Sequence, residues 1–166
     1  MSDDSNAKII RVLIGQVSLT RSPNLLQSVL GSCIGLAIFD PKSGIAGMAH
    51  ILLPSSEGRK LGKLPGKYAD CAVPCLYDAL LKFGAVPQNL KAKIAGGARM
   101  FSASNNYDNG RDIGSTNAEA VKAALKKFHI PMVAHDIGGT AGRKVEFELA
   151  TYKMTIEDFS KRTRLI

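Results

Sequence analysis

Two apolar runs of strand length, residues 29–39 and 45–53, are separated by Asp40, Pro41, Lys42 and Ser43, and no other feature constrains the chain as much. Asp at the first position and Pro at the second suit a type I turn, because proline holds φ near the value that the second position needs. The runs therefore read as an antiparallel hairpin. With those four residues as the loop, Phe39 faces Gly44, and stepping back along one strand and forward along the other sets Cys33 opposite His50. Directly opposed residues project from the same face with Cβ atoms about 4.5 to 5.5 Å apart, which lets a thiol and an imidazole hydrogen bond. A slip of one residue would send the two side chains to opposite faces.

A cysteine beside an imidazole can lose its proton and attack a carbonyl carbon. Gly31 and Ser32 precede Cys33, so the backbone there is relaxed, and N–H groups near the cysteine can serve an oxyanion. The residue pattern alone leaves a second reading open, in which Cys33 is a small core residue and His50 a hydrogen-bonded strand histidine.

Further strands are predicted at 9–14, 91–95, 132–136 and 143–149. Ala69, Ala72, Val73, Leu76, Leu80 and Phe83 share one helical face over 67–83, with Pro74 expected to kink that helix. A second helix is predicted from Thr116, in capping-box spacing with Glu119, through Val121, Ala124, Leu125 and Phe128, with Lys126 and Lys127 in its last turn. Residues 55–67 and 102–115 form long polar segments. Strands outnumber helices without strict βαβ alternation, so the class is α/β in the broad sense (α+β), in one domain over 1–166 with its core at about 9–157.

Lys and Arg number 22 against 14 Asp and Glu, a net charge of +8 that favours an acidic partner. The basic residues are scattered and not interleaved with aromatics, which argues against nucleic acid. No apolar run reaches the ~18 residues of a membrane-spanning helix, and the N-terminus is polar and acidic, so a cytoplasmic protein without membrane insertion is expected. Three cysteines argue against a disulfide framework. Cys71 and Cys75, four apart on a helix without a nearby histidine, read as packing or surface groups and not as metal ligands. His129 reads as a helix-end residue, and His135 as a strand histidine that is a second candidate base. Gly96-Gly97 and Gly138-Gly139 read as sheet-edge turns or cleft walls.

Residues 30–40, followed by Gly47, Met48, Ala49, His50, Ile51, Leu52, Leu53 and Pro54, closely resemble the CheD family of chemoreceptor glutamine deamidases. Further matching signatures follow in family order: Lys67-Tyr68-Ala69-Asp70, residues 93–101, Ile113-Gly114 with Asn117, and Asp136-Ile137-Gly138-Gly139 with Gly142-Arg143. The resemblance implies packed β-sheets with flanking helices, similar to the catalytic domain of cytotoxic necrotizing factors. It also implies conversion of glutamine to glutamate on methyl-accepting chemotaxis receptors, with methylesterase activity in some members, and a second partner in the phosphatase CheC. Carried onto this chain, the nucleophile is Cys33 and the base His50, and neither metal nor cofactor is required. The family usually has Thr six residues before the cysteine, where this chain has Gln27 followed by Ser28. Either Ser28 orients the histidine through its hydroxyl, or Gln27 accepts the ring N–H through its amide oxygen. The rival reading is a non-enzymatic adaptor that binds receptors or CheC.

Overall fold

The computed structural model describes residues 6–100 and 112–166. The described strands are β1 (Ile9–Arg11), β2 (Val17–Arg21), β3 (Leu25–Leu30), β4 (Ile34–Asp40), β5 (Ile45–Ile51), β6 (Lys91–Gly96), β7 (Met132–Ile137), β8 (Arg143–Glu148), β9 (Lys153–Asp158) and β10 (Thr163–Leu165), with helices α1 (Ala69–Phe83) and α2 (Ile113–Lys127). One sheet runs β1-β3-β8-β9-β10 and the other β2-β5-β4-β6-β7.

The β4–β5 hairpin lies at the centre of a three-layer arrangement. Ile34, Leu36 and Ile38 of β4 and Ala49 and Ile51 of β5 pack with Val73, Leu76 and Leu80 of α1 and Val121 and Leu125 of α2. The alternate residues Ala37, Phe39, Ala46 and Met48 join Leu26, Val145, Phe147 and Ile156 of the other sheet. Because both faces are covered, every residue of β4 and β5 is buried, and the two runs lack the polar alternation of a half-exposed strand. Each large apolar side chain buried here contributes about 1.5–3 kcal/mol, and a one-residue slip would exchange the set that packs on the helices with the set that packs on the other sheet.

The register of this hairpin differs from the sequence expectation by two. Asp40 pairs with Ile45, so the loop is Pro41, Lys42, Ser43 and Gly44, and His50 lies opposite Gly35 rather than Cys33. Asp40 stays in the ladder because its carboxylate turns back on the loop, accepting from Lys42 N at 2.9 Å and Ser43 N at 3.3 Å, and from Val86 N at 2.9 Å. A shift of two conserves the face. Cys33 therefore still belongs to the core between the sheets, on the side to which Met48 and His50 point.

The run 29–39 is two strands, not one. β3 belongs to the first sheet and β4 to the second, and Gly31, Ser32 and Cys33 form the corner where the chain changes sheets. Gly97 N donates to Cys33 O at 2.9 Å and Ala98 N to Gly31 O at 2.9 Å, so the end of β6 braces this corner. Gly96 holds φ +110, and a Cβ there would stand 2.2 Å from Cys33 O.

Other differences are local. β1 ends at Arg11 rather than residue 14, and β2, β9 and β10 carry no counterpart in the sequence reading. α2 starts at Ile113, three residues before Thr116, because Asp112 accepts Ser115 N at 3.0 Å as its N-cap. α1 is one helix through Pro74, and Phe83, expected on its buried face, is exposed beneath the Arg21 guanidinium at 4.5 Å. Most of the polar segment 102–115 lies outside the described residues.

Candidate active site

His50 is buried at 3% exposure, and its ring is held from one side. Nδ1 lies 2.8 Å from Ser28 Oγ and 3.2 Å from the Val12 carbonyl oxygen, and Ser28 Oγ lies 2.8 Å from that same carbonyl. A carbonyl only accepts. All three contacts are favourable together when the Ser28 hydroxyl donates to Val12 O and Nδ1–H donates to Ser28 Oγ and Val12 O. The opposite tautomer would set the bare Nδ1 against the Val12 oxygen. The proton is thus assigned to Nδ1, which leaves the lone pair on Nε2, a buried atom without a hydrogen-bond partner among the described residues; the thiol–imidazole hydrogen bond expected from the sequence is therefore not formed in this structure.

Cys33 is a free thiol, buried at 6% exposure. Burial raises its pKa above the ordinary thiol value, and the residue's own backbone N–H draws it partly back down. Burial lowers the pKa of His50 below the ordinary histidine value, against a smaller upward pull from the Val12 carbonyl. At neutral pH the resting groups are a thiol and a neutral imidazole, not an ion pair.

Of the two candidates for the third position, Ser28 contacts His50. Gln27 follows the opposite parity on β3, and its Nε2 donates to Glu146 Oε1 at 3.0 Å. A cleft of about 660 Å³ reaches Ser28 and His50 between the exposed apolar side chains Leu13, Ile14 and Val29. His135 points outward from β7, and Cys71 and Cys75 lie half-buried on α1, in the helical layer.

Two contributors escaped the sequence reading. Val12 acts through its carbonyl, which no side-chain pattern reports. Asn117, noted only within a motif, is fully buried and donates from Nδ2 to Ser32 O at 3.1 Å and to Leu52 O at 2.9 Å. Behind the corner, Gly138 N donates to Gly96 O at 3.0 Å, and Arg143 holds the loop beyond β7 by donating to the carbonyls of Asp136, Gly138 and Ala141. Burial acts to raise the Asp136 carboxyl, but Arg164 and Arg143 outweigh it and keep the group ionised below the usual carboxylate range.

Residues 52–158, well over half of the chain, match the family CheD, described as CheD chemotactic sensory transduction. A protein of Oceanobacillus iheyensis named "Probable chemoreceptor glutamine deamidase CheD" is 41% identical over 95% of this chain and 96% of its own. Those named "Chemoreceptor glutamine deamidase CheD" from Halalkalibacterium halodurans and Thermotoga maritima are 41% identical, over 89% of this chain and 92% of theirs, and 42% identical, over 86% and 87%. Among solved structures, that of Bacillus licheniformis hypothetical protein YfiH covers 84% of this chain and 61% of that chain at 13% identity and a TM-score of 0.43, a loose likeness from which nothing follows. With a family match across most of its length and relatives above 40% identity over nearly all of it, the chain belongs to the CheD family.

Proposed function

We propose that this protein deamidates glutamine side chains of methyl-accepting chemotaxis receptors, with Cys33 as nucleophile, His50 as proton carrier and Ser28 as the group that orients His50. The observation that carries this reading is the buried imidazole with Nδ1–H fixed by Ser28 and Val12 and a bare Nε2, on the sheet face it shares with Cys33. The names of the full-length relatives supply the substrate.

Nε2 takes the thiol proton as sulfur attacks the carboxamide carbon, forming the C–S bond and moving the carbonyl π pair onto oxygen. The imidazolium then protonates the amide nitrogen, and ammonia leaves as the carbonyl re-forms in a thioester. Neutral His50 next deprotonates a water that attacks the thioester, and the C–S bond breaks with the proton returned to sulfur. Glutamine and water become glutamate and ammonia, with no redox change and no cofactor. A glutamate methyl ester can follow the same acyl route with methanol as leaving group, so methylesterase activity belongs to this reading. So do a cytoplasmic location, CheC as a competing partner, and kinship with cytotoxic necrotizing factor catalytic domains, which the two packed sheets support. Mass spectrometry of receptor peptides tests the reading by the ~1 Da gain of each converted glutamine. Intact glutamines after incubation with active-site-competent protein would overturn it.

The shared hold on Nδ1 sets the size of one effect. Ser28→Ala removes one of two acceptors and leaves Val12 O in place, so kcat is expected to fall by roughly tenfold, about one hydrogen bond's worth, with KM little changed. A loss as complete as that of the nucleophile would show that Val12 does not hold the ring. Gln27→Thr, altering a residue bonded to Glu146, is expected to leave kcat within about twofold.

The pH profile follows from the direction of the His50 shift. A folded pKa below the ordinary 6.5 keeps the base neutral at pH values where an exposed histidine is half protonated. The acid limb of kcat/KM is therefore expected below pH 6.5, measured with a peptide substrate. A half-maximal point above that value would contradict the burial of a neutral base.

A further inference from the structure

Asn117 stands in the second turn of α2 with no exposed surface. Its Nδ2 donates to two carbonyls, and since a carbonyl cannot donate, the orientation of the carboxamide is fixed. Oδ1 is then left buried without a partner among the described residues, a cost of about 1–3 kcal/mol that a leucine would not incur. What the amide does in return is local to the chemistry. Ser32 immediately precedes Cys33, and Leu52 lies two residues beyond His50, so one side chain ties both strands of the pair to α2.

A trans peptide is planar, so the Ser32 carbonyl and the Cys33 N–H point in opposite directions. Drawing Ser32 O toward α2 turns the Cys33 N–H away from the helix, and the Cys33 side chain itself belongs to the core between the sheets. The other end of the residue is also held, because Gly97 N donates to Cys33 O at 2.9 Å. Cys33 N donates to no backbone carbonyl among the described residues, and its influence is felt at its own sulfur, where burial raises the thiol pKa and this N–H lowers it. An N–H beside the proposed nucleophile that donates to no other residue among those described, with the peptide held from both sides, is the arrangement that stabilises a developing oxyanion.

We propose that Asn117 is a positioning residue that aims the Cys33 backbone N–H at the carbonyl oxygen of the substrate carboxamide, making that N–H an oxyanion donor. This rests on the deamidase reading. As the Sγ–C bond forms and the thiol proton passes to His50 Nε2, the π pair arriving on the carbonyl oxygen meets the N–H that Asn117 has aimed.

The test compares reactions that do and do not develop an oxyanion. Asn117→Ala, and Asn117→Ser as a smaller perturbation, are assayed for peptide deamidation, for alkylation of Cys33 by iodoacetamide, and for affinity toward a peptide carrying glutamic semialdehyde, which adds the thiol to give a tetrahedral oxygen. The expected result is a kcat roughly ten- to hundredfold lower with KM within about twofold, semialdehyde affinity falling in parallel, and alkylation unchanged. Unchanged kcat, or kcat and alkylation falling together, would overturn the proposal, the latter pointing to a merely structural role. Should neither variant fold, the wild-type semialdehyde adduct decides the matter, since its oxygen must lie within hydrogen-bond distance of Cys33 N. Failure of the deamidase reading is distinguishable, because the wild-type protein would then convert no glutamine at all.

Discussion

Cys33→Ala is expected to abolish the mass gain on receptor peptides, lowering kcat by about 10⁴-fold or more, and His50→Ala is expected to do nearly the same. The two losses should not add. Burial raises the thiol pKa and lowers that of the imidazole, so in the proposed mechanism the proton moves only as substrate is attacked, and nucleophile and base act as one unit. Removal of either leaves the other without a reaction to perform. The double variant measures this directly: a rate equal to that of the worse single variant supports the unit, whereas multiplied losses would mean that each residue works alone. Persistent conversion by Cys33→Ala would exclude the covalent route, and receptor binding without conversion by the wild-type protein would favour the adaptor reading.

Gly96→Ala is expected to be the most damaging single substitution outside the reacting groups. Two penalties coincide at this position: φ is +110, where an L side chain is strained, and the new Cβ would stand 2.2 Å from Cys33 O. Strain alone costs about 1–3 kcal/mol, and the clash is with backbone that cannot swing aside. A loss of about 3 kcal/mol or more is expected, corresponding to a fall in Tm of roughly 6–12 °C for a chain of this size. Turnover should fall with it, because relief of the clash displaces the corner that carries Cys33, the proposed nucleophile. Gly58→Ala supplies the comparison: φ is +76 there and a Cβ meets nothing within 4 Å, so only the strain penalty applies. Equal melting temperatures for the two variants would show that the contact with Cys33 O is unimportant.

The amino-acid pattern disclosed the central hairpin and both helices, because apolar periodicity and an Asp-Pro turn are local signals. It misjudged the hairpin register because the choice between two four-residue loops depends on Asp40, whose carboxylate also serves Val86, 46 residues away. It ran β3 into β4 because an apolar run looks the same whether the chain continues straight or turns into a second sheet. β9 was readable in principle, since Met154, Ile156 and Asp158 are buried in alternation with more exposed neighbours, but its polar residues masked the period of two. For the candidate site, Cys33 and His50 stood out by residue type and shared face. Ser28 and Gln27 could not be separated, because the choice rests on strand parity, which only the pairing of β3 with β8 reveals. Val12 and Asn117 depend on contacts 38 and 85 residues distant in sequence, beyond any local pattern.

Ser28 and His50 come from different sheets, with Val12 in the loop between them and Asn117 in the helical layer. No single hairpin or helix of this protein contains a working fraction of the site. A chain emerging during synthesis, or one that has formed its sheets but not yet packed them, holds its cysteine without an oriented imidazole. On the proposed mechanism, competence requires contacts between both sheets and the helical layer, so enzymatic turnover reports the completeness of folding itself.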